Sequence, residues 1–187
     1  MLKNILTRFS GTAVLILMIS LVQVGMASAP KGTAASAASR QINDLQDRVR
    51  HTILMLPNFG VFDNLNFTLQ GDTVTLIGEV RRAILKSEAE AAVRKTAGVA
   101  NVINNIDILP LSPMDDSLRV KTYRAVYSMP GFERYEIQAT QPIRIIVKNG
   151  NITLDGVVAT PLDKILAEAA ARKVSLAFSV TNNLTIG

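Results

Sequence analysis

A repeat limits what this chain can fold into more than any other feature. Gly71-Asp72-Thr73-Val74-Thr75-Leu76-Ile77-Gly78-Glu79-Val80 reads as a turn feeding a strand that meets a glycine. Asn149-Gly150-Asn151-Ile152-Thr153-Leu154-Asp155-Gly156-Val157-Val158 says nearly the same. Thr75 and Thr153, Leu76 and Leu154, Gly78 and Gly156, and Val80 and Val158 all lie 78 residues apart. The same offset carries residues 90–95 onto 168–173 and residues 102–106 onto 180–184. A spacing shared by turn, helix and strand identifies two copies of one supersecondary unit.

The start of the chain stands outside the repeat. Lys3 and Arg8 precede an apolar run from Ala13 to about Val24, and Gly25-Met26-Ala27 gives a small-residue cleavage context before Ser28. A membrane span takes about 20 apolar residues, so this shorter run reads as a signal peptide over 1–27, with an uncleaved anchor as the alternative. Residues 28–40, rich in Ala and Ser, are expected to form a flexible linker. The chain has no cysteine, hence no disulfide, no thiolate metal site and no Cys for acylation after the signal. The expectation is an exported protein, periplasmic or secreted, and not a lipoprotein. Losing Lys3 and Arg8 from 20 Lys+Arg leaves 18 against 15 Asp+Glu. That excess is too slight for a nucleic-acid footprint.

In the first unit, Ile42, Leu45, Val49, Ile53 and Leu56 recur at helical spacing, and Pro57 ends the helix. Residues 65–69 and 74–80 alternate as two strands around the turn at Gly71. Gly78 implies a bulge, or a helix lying close over the strand. An Ala-rich helix over 83–97 follows, with Glu90 and Arg94 four apart, and Gly98 is placed to close it in the left-handed conformation. The last strand, 100–109, turns Val102, Ile106 and Ile108 inward. The same parity turns Asn104 inward, and Asn182 repeats it. A buried amide left unpaired costs about 1–3 kcal/mol. The pair therefore contacts a ligand or pins a nearby loop, the second being the plainer reading.

In the second unit, Ser112-Pro113-Met114-Asp115 has the form of an N-cap, an N1 proline and an acidic N3 residue. The helix it opens runs to about Tyr127, with Leu118, Thr122 and Val126 inward. Arg119, Tyr123 and Tyr127 make an adjacent stripe with Arg124 beside it. The following loop, holding Phe132, Arg134 and Tyr135, is five residues longer than its counterpart. Basic and aromatic residues mix here and nowhere else. One reading is an interface with the first unit or an amphipathic rim. The other is contact with an anionic membrane, where each basic residue is worth about 1 kcal/mol and partial aromatic insertion adds to it. Pro161 opens the second long helix, and Ile165, Leu166, Ala169 and Ala170 suit its buried side. Leu176 stands where the first unit has Gly98, so this helix is expected to end differently.

Each unit thus reads helix–strand–strand–helix–strand. The fold class is α+β: two tandem αββαβ domains, 41–109 and 112–187, each a three-stranded mixed sheet with two helices on one face. The connector between them is short and stiff around Pro110, so the units should touch.

This pattern resembles the BON domain. The residues that carry the resemblance are the turn-strand with Gly71 and Gly78, the Ala-rich helix, and Gly98-Val99-Ala100-Asn101-Val102-Ile103-Asn104-Asn105-Ile106. Its second copy has Gly150, Gly156 and Val180-Thr181-Asn182-Asn183-Leu184. The resemblance implies a non-enzymatic protein of the bacterial envelope, associated with osmotic or envelope stress, with some relatives binding anionic phospholipid. It carries no catalytic motif. The one histidine, His51, has no second His or Cys to build a site with, and no phosphate loop is present. No metal or cofactor is expected. The expected partner is an anionic phospholipid surface or, alternatively, an envelope protein held at an exposed sheet edge. The sequence does not give an oligomeric state.

Overall fold

The computed structural model describes residues 31–138 and 140–187; the expected signal peptide lies outside them, as do the first residues of the expected linker. The first half comprises α1 (Lys31–Leu54), β1 (Asn64–Gln70), β2 (Thr73–Val80), α2 (Ala83–Arg94) and β3 (Asn101–Ile108). The second comprises α3 (Pro113–Tyr127), a short α4 (Glu133–Glu136), β4 (Ile143–Lys148), β5 (Asn151–Val158), α5 (Pro161–Arg172) and β6 (Ser179–Ile186). Two sheets result, ordered β1-β2-β3 and β4-β5-β6. In each, the hairpin is antiparallel and the crossover through the helix adds a parallel edge strand. The register repeats as the sequence does: Leu76 pairs with Asn104, and Leu154 with Asn182.

Both hairpins turn in two residues, by different means. Gly71 alone has positive φ (63°) in the first, whereas Asn149 (53°) and Gly150 (77°) both do in the second, the geometry of an Asn-Gly type I′ turn. The close approach at Gly78 comes from the neighbouring strand rather than from a bulge or a helix. Its φ is 123°, and a Cβ there would lie 2.1 Å from the Asn64 carbonyl oxygen. Gly156 repeats this at φ 120° and 1.9 Å from the Pro142 oxygen.

Several expectations are corrected. The linker is helical from Lys31, because its alanines favour helix and extend the register of α1. Leu176 takes φ 76° where Gly98 takes 95°, so the second helix closes in the same left-handed way despite its side chain. Ile165 and Ala169 face solvent, while Ala167, Ala170 and Ala171 pack inward; the helix is rotated from the face that its larger residues marked. Ile108 is exposed, and so is Ile186 at the same point of the second half.

The first core gathers Leu45, Val49 and Ile53 of α1 with Val74, Leu76, Leu85 and Val93. The second gathers Leu118 and Val126 with Ile143, Ile145, Leu154 and Ala167, and draws in Val61 and Phe62 from the first half. The halves touch there. Ile145 N–H donates to the Val61 carbonyl (2.9 Å), and the rings of Phe62 and Tyr123 meet edge-on at 6.2 Å. Lys148 pairs with Glu79 (3.3 Å) and Arg81 with Asp116 (3.4 Å).

Candidate functional site

Four of the seven residues marked for lipid or partner contact are internal. Arg119, 2% exposed, lies along α3 and donates to the Val147 carbonyl (2.6 Å) and to Asp116 (2.7 Å). Tyr127 is buried against β4 and donates to the Ile143 carbonyl at 2.7 Å. Burial pushes its phenol well above the ordinary tyrosine value, so it stays a neutral donor. Phe132 and Tyr135 stack edge-on in the second core. Amphipathic side chains at helical spacing look alike whether they cover a core or face a membrane, and here they cover a core.

Arg134 and Tyr135 instead fasten the long loop to α5. The buried Asp163 carboxylate accepts from Arg134 (2.6 Å), from the Tyr135 hydroxyl (2.8 Å) and from Thr160 (2.7 Å). Burial alone would raise this carboxyl's pKa, but the three hydrogen bonds outweigh it and hold the group below its ordinary value. Tyr123 is half-buried and donates to Glu136 at 3.1 Å. Burial and that carboxylate raise its pKa.

Asp115 was hidden from sequence reasoning because its partners lie across the fold. Its buried carboxylate accepts the N–H groups of Asn149 (2.9 Å) and Gly150 (2.8 Å), pinning the β4–β5 turn to the start of α3. The Ser112 hydroxyl accepts from Asp115 N–H, as the cap motif predicts.

The paired asparagines are satisfied within the fold. Asn104 donates to the Lys86 carbonyl and to Glu90 (both 3.0 Å), and its oxygen accepts Ile106 N–H (3.2 Å). Asn182 repeats this on Lys164 (2.9 Å), Glu168 (3.1 Å) and Leu184 (3.2 Å). Each amide pins a helix, not a loop. It does a second thing as well. Leu109 N–H bonds inward to Val80, so by alternation Ile106 N–H points out from the sheet edge. Asn104 therefore caps one outward N–H of an edge strand, and Asn182 does likewise, which removes a single donor from each edge.

On α3 itself a different face stays outside. Met114, Ser117, Lys121 and Arg124 follow one another at three- and four-residue steps, with Val120 beside them, and all are exposed. Among the described residues, Lys121 and Arg124 have no carboxylate partner. Of the residues marked from sequence, only Arg124 belongs to this face. Lys121 and Val120 could have been found by taking Leu118, Thr122 and Val126 as the buried side and reading away from it, whereas Met114 continues that four-residue spacing and would have been read as inward. Among the described residues no group of three His, Cys, Asp or Glu could hold a metal ion, and no helix is long and apolar enough to cross a membrane.

Comparison with protein families matches the BON domain twice, over residues 41–110 and 133–187. The chain belongs to the BON family. The first BON match includes much of α1, whereas the second begins past α3, so the outward face of α3 falls between the two matched stretches. No curated protein matches this BON chain. Among solved structures it is similar to CdsD, a structural protein of the Type III secretion system of Chlamydia trachomatis. That likeness has 21% identity and a TM-score of 0.30, and covers 76% of this chain and 61% of that one. The C-terminal domain of CdsD gives 21% identity and a TM-score of 0.29, over 76% of this chain and 64% of that one. The BON chain thus spans less than two thirds of either structure.

Proposed function

We propose that this is a non-enzymatic, exported dual-BON protein of the bacterial envelope that binds anionic phospholipid reversibly through α3. The observation that carries the reading is the outward face of that helix: two unpaired cations, Lys121 and Arg124, flanked by exposed Met114 and Val120. Two basic residues near an anionic bilayer contribute about 2 kcal/mol. Millimolar affinity needs about 4 kcal/mol, so partial burial of the two apolar side chains must supply the rest. The binding is therefore weak, salt-sensitive and suited to an envelope-stress role in which attachment has to be reversible. The test is sedimentation of the mature protein with anionic and zwitterionic vesicles at low and moderate salt. The double variant Lys121→Glu, Arg124→Glu should abolish the pelleted fraction on anionic vesicles. Binding that ignores lipid charge, or survives the double variant, overturns the reading.

A second reading is supported by β6. Its eight residues carry no charge and no proline along an edge, and among the described residues only its Leu184 N–H is an outward group that a side chain covers. An envelope protein could add an extended strand beside it. Stoichiometric capture of an extended partner by lipid-free protein, lost in Val180→Pro, would favour this reading over the first.

A further inference from the structure

Between the halves lies a cleft of about 320 Å³, walled by α1, β1 and the start of β4. Arg144 faces into it. The side chain is 8% exposed, lies over the Phe59 ring at 4.3 Å, and donates one hydrogen bond, to the Gly60 carbonyl (3.0 Å). Its remaining N–H groups have no partner among the described residues, and no carboxylate reaches it to form an ion pair. The nearest candidates are engaged or turned aside. The Asp63 oxygens accept the Gly60 and Arg81 N–H groups (3.0 and 2.8 Å). Asp155, opposite Arg144 in the strand register, lines the cleft without bonding to it.

The guanidinium is largely withdrawn from water, Asp63 acts on it only through space, and the N–H groups it leaves unbonded open onto the cleft; a charge held in this way favours an oxyanion partner. Burial accordingly draws the pKa of Arg144 down. Arg50 lines the same cleft, its pairing with Asp47 being an exposed and replaceable one (3.3 Å). Asn64, Gln141 and Thr140 add hydrogen-bonding groups, and Leu65 and Phe59 an apolar floor.

We infer that this cleft is a binding site for a small oxyanion, a carboxylate or phosphate group received by the free fork of Arg144 with Arg50 at the mouth. The planar fork can take two oxygens side by side, which a lysine could not. The site is separate from the face of α3, so membrane binding and oxyanion binding stand or fall independently.

The test is titration of the mature protein with sodium phosphate and with sodium acetate, each against sodium chloride at matched ionic strength, followed by amide shifts of Val61, Phe62 and Ile145. Saturable shifts are expected with at least one of the two oxyanions and not with chloride. A phosphate-only or acetate-only response identifies the headgroup. Arg144→Lys should weaken the response at least tenfold, and Arg50→Gln, at an exposed position, severalfold. Shifts that follow ionic strength whatever the anion overturn the inference. So does a response unchanged in Arg50→Gln, including the case where the Arg144 variant fails to fold.

Discussion

Where α3 opens, the second half has Asp115, whose buried carboxylate holds two N–H groups of the hairpin turn. Leu118 takes the place of Leu45, so the first half has Ile42 at that position, 47% exposed in a shallow groove beside Gly71. The contrast recurs down the helix. Arg119 reaches the Val147 carbonyl from inside the second half, while Gln46 in its place has no such bond. Thr160 caps α5 by accepting Asp163 N–H, whereas Arg82 at the head of α2 offers no side-chain cap. Both halves share glycine kinks, strand register and asparagine latches. The difference teaches that packing and β-pairing set the fold, while buried polar staples decide how firmly each copy holds it.

The kinks should give the largest effects, and equal ones. Gly78→Ala and Gly156→Ala each force a Cβ against a carbonyl oxygen at a positive φ. Strain and overpacking together cost about 3–4 kcal/mol. Urea unfolding showing one of them to be neutral would break the equivalence of the two copies.

Asp115→Ala should come next, at about 3 kcal/mol, since it strips two charge-assisted bonds from buried turn amides. Ile42→Ala, already half in solvent, should cost less than about 1 kcal/mol. Similar losses for the two would remove the asymmetry between the halves.

Acid should separate the copies more gently. The carboxyl of Asp163 is depressed in the folded state, so its contribution is fully present above the ordinary value of 3.8 and is lost as pH falls through the lower folded value. Thermal melts between pH 5 and 2.5 should show this extra loss, and Asp163→Asn should flatten it.

The smallest expected effect is a gain. Leu176 sits in the left-handed region, exposed, where its counterpart is Gly98. Relief of about 1 kcal/mol is expected for Leu176→Gly, partly offset by glycine's looser unfolded chain. A melting temperature that falls instead would mean that the leucine side chain contributes contacts outweighing its strain.

Much of the fold was legible because its signals are local. The period of apolar residues marked α1 and α3, alternation marked β2 and β5, and the constant offset tied the halves together. The site was less legible, for a physical reason. Arg119, Tyr127, Phe132 and Tyr135 have polar tips on large apolar bodies, and spacing alone does not say whether tip or body faces out. Asp115 gains its meaning from the turn amides of Asn149 and Gly150, and Asp163 from Arg134 and Tyr135 beside its local cap Thr160, partners brought in by the tertiary fold. Arg144 did leave a trace, as the one charge in the apolar run from Ile143 to Val147. The left-handed leucine left only its place opposite Gly98, which pointed to a different helix end because leucine disfavours that conformation.

Residue-resolved native-state hydrogen exchange tests the contrast most directly, because opening free energies report each copy separately. Amides of β4 and β5 should exchange more slowly than their counterparts in β1 and β2, with Leu154 outlasting Leu76. Equal protection, or slower exchange in the first half, would contradict the account.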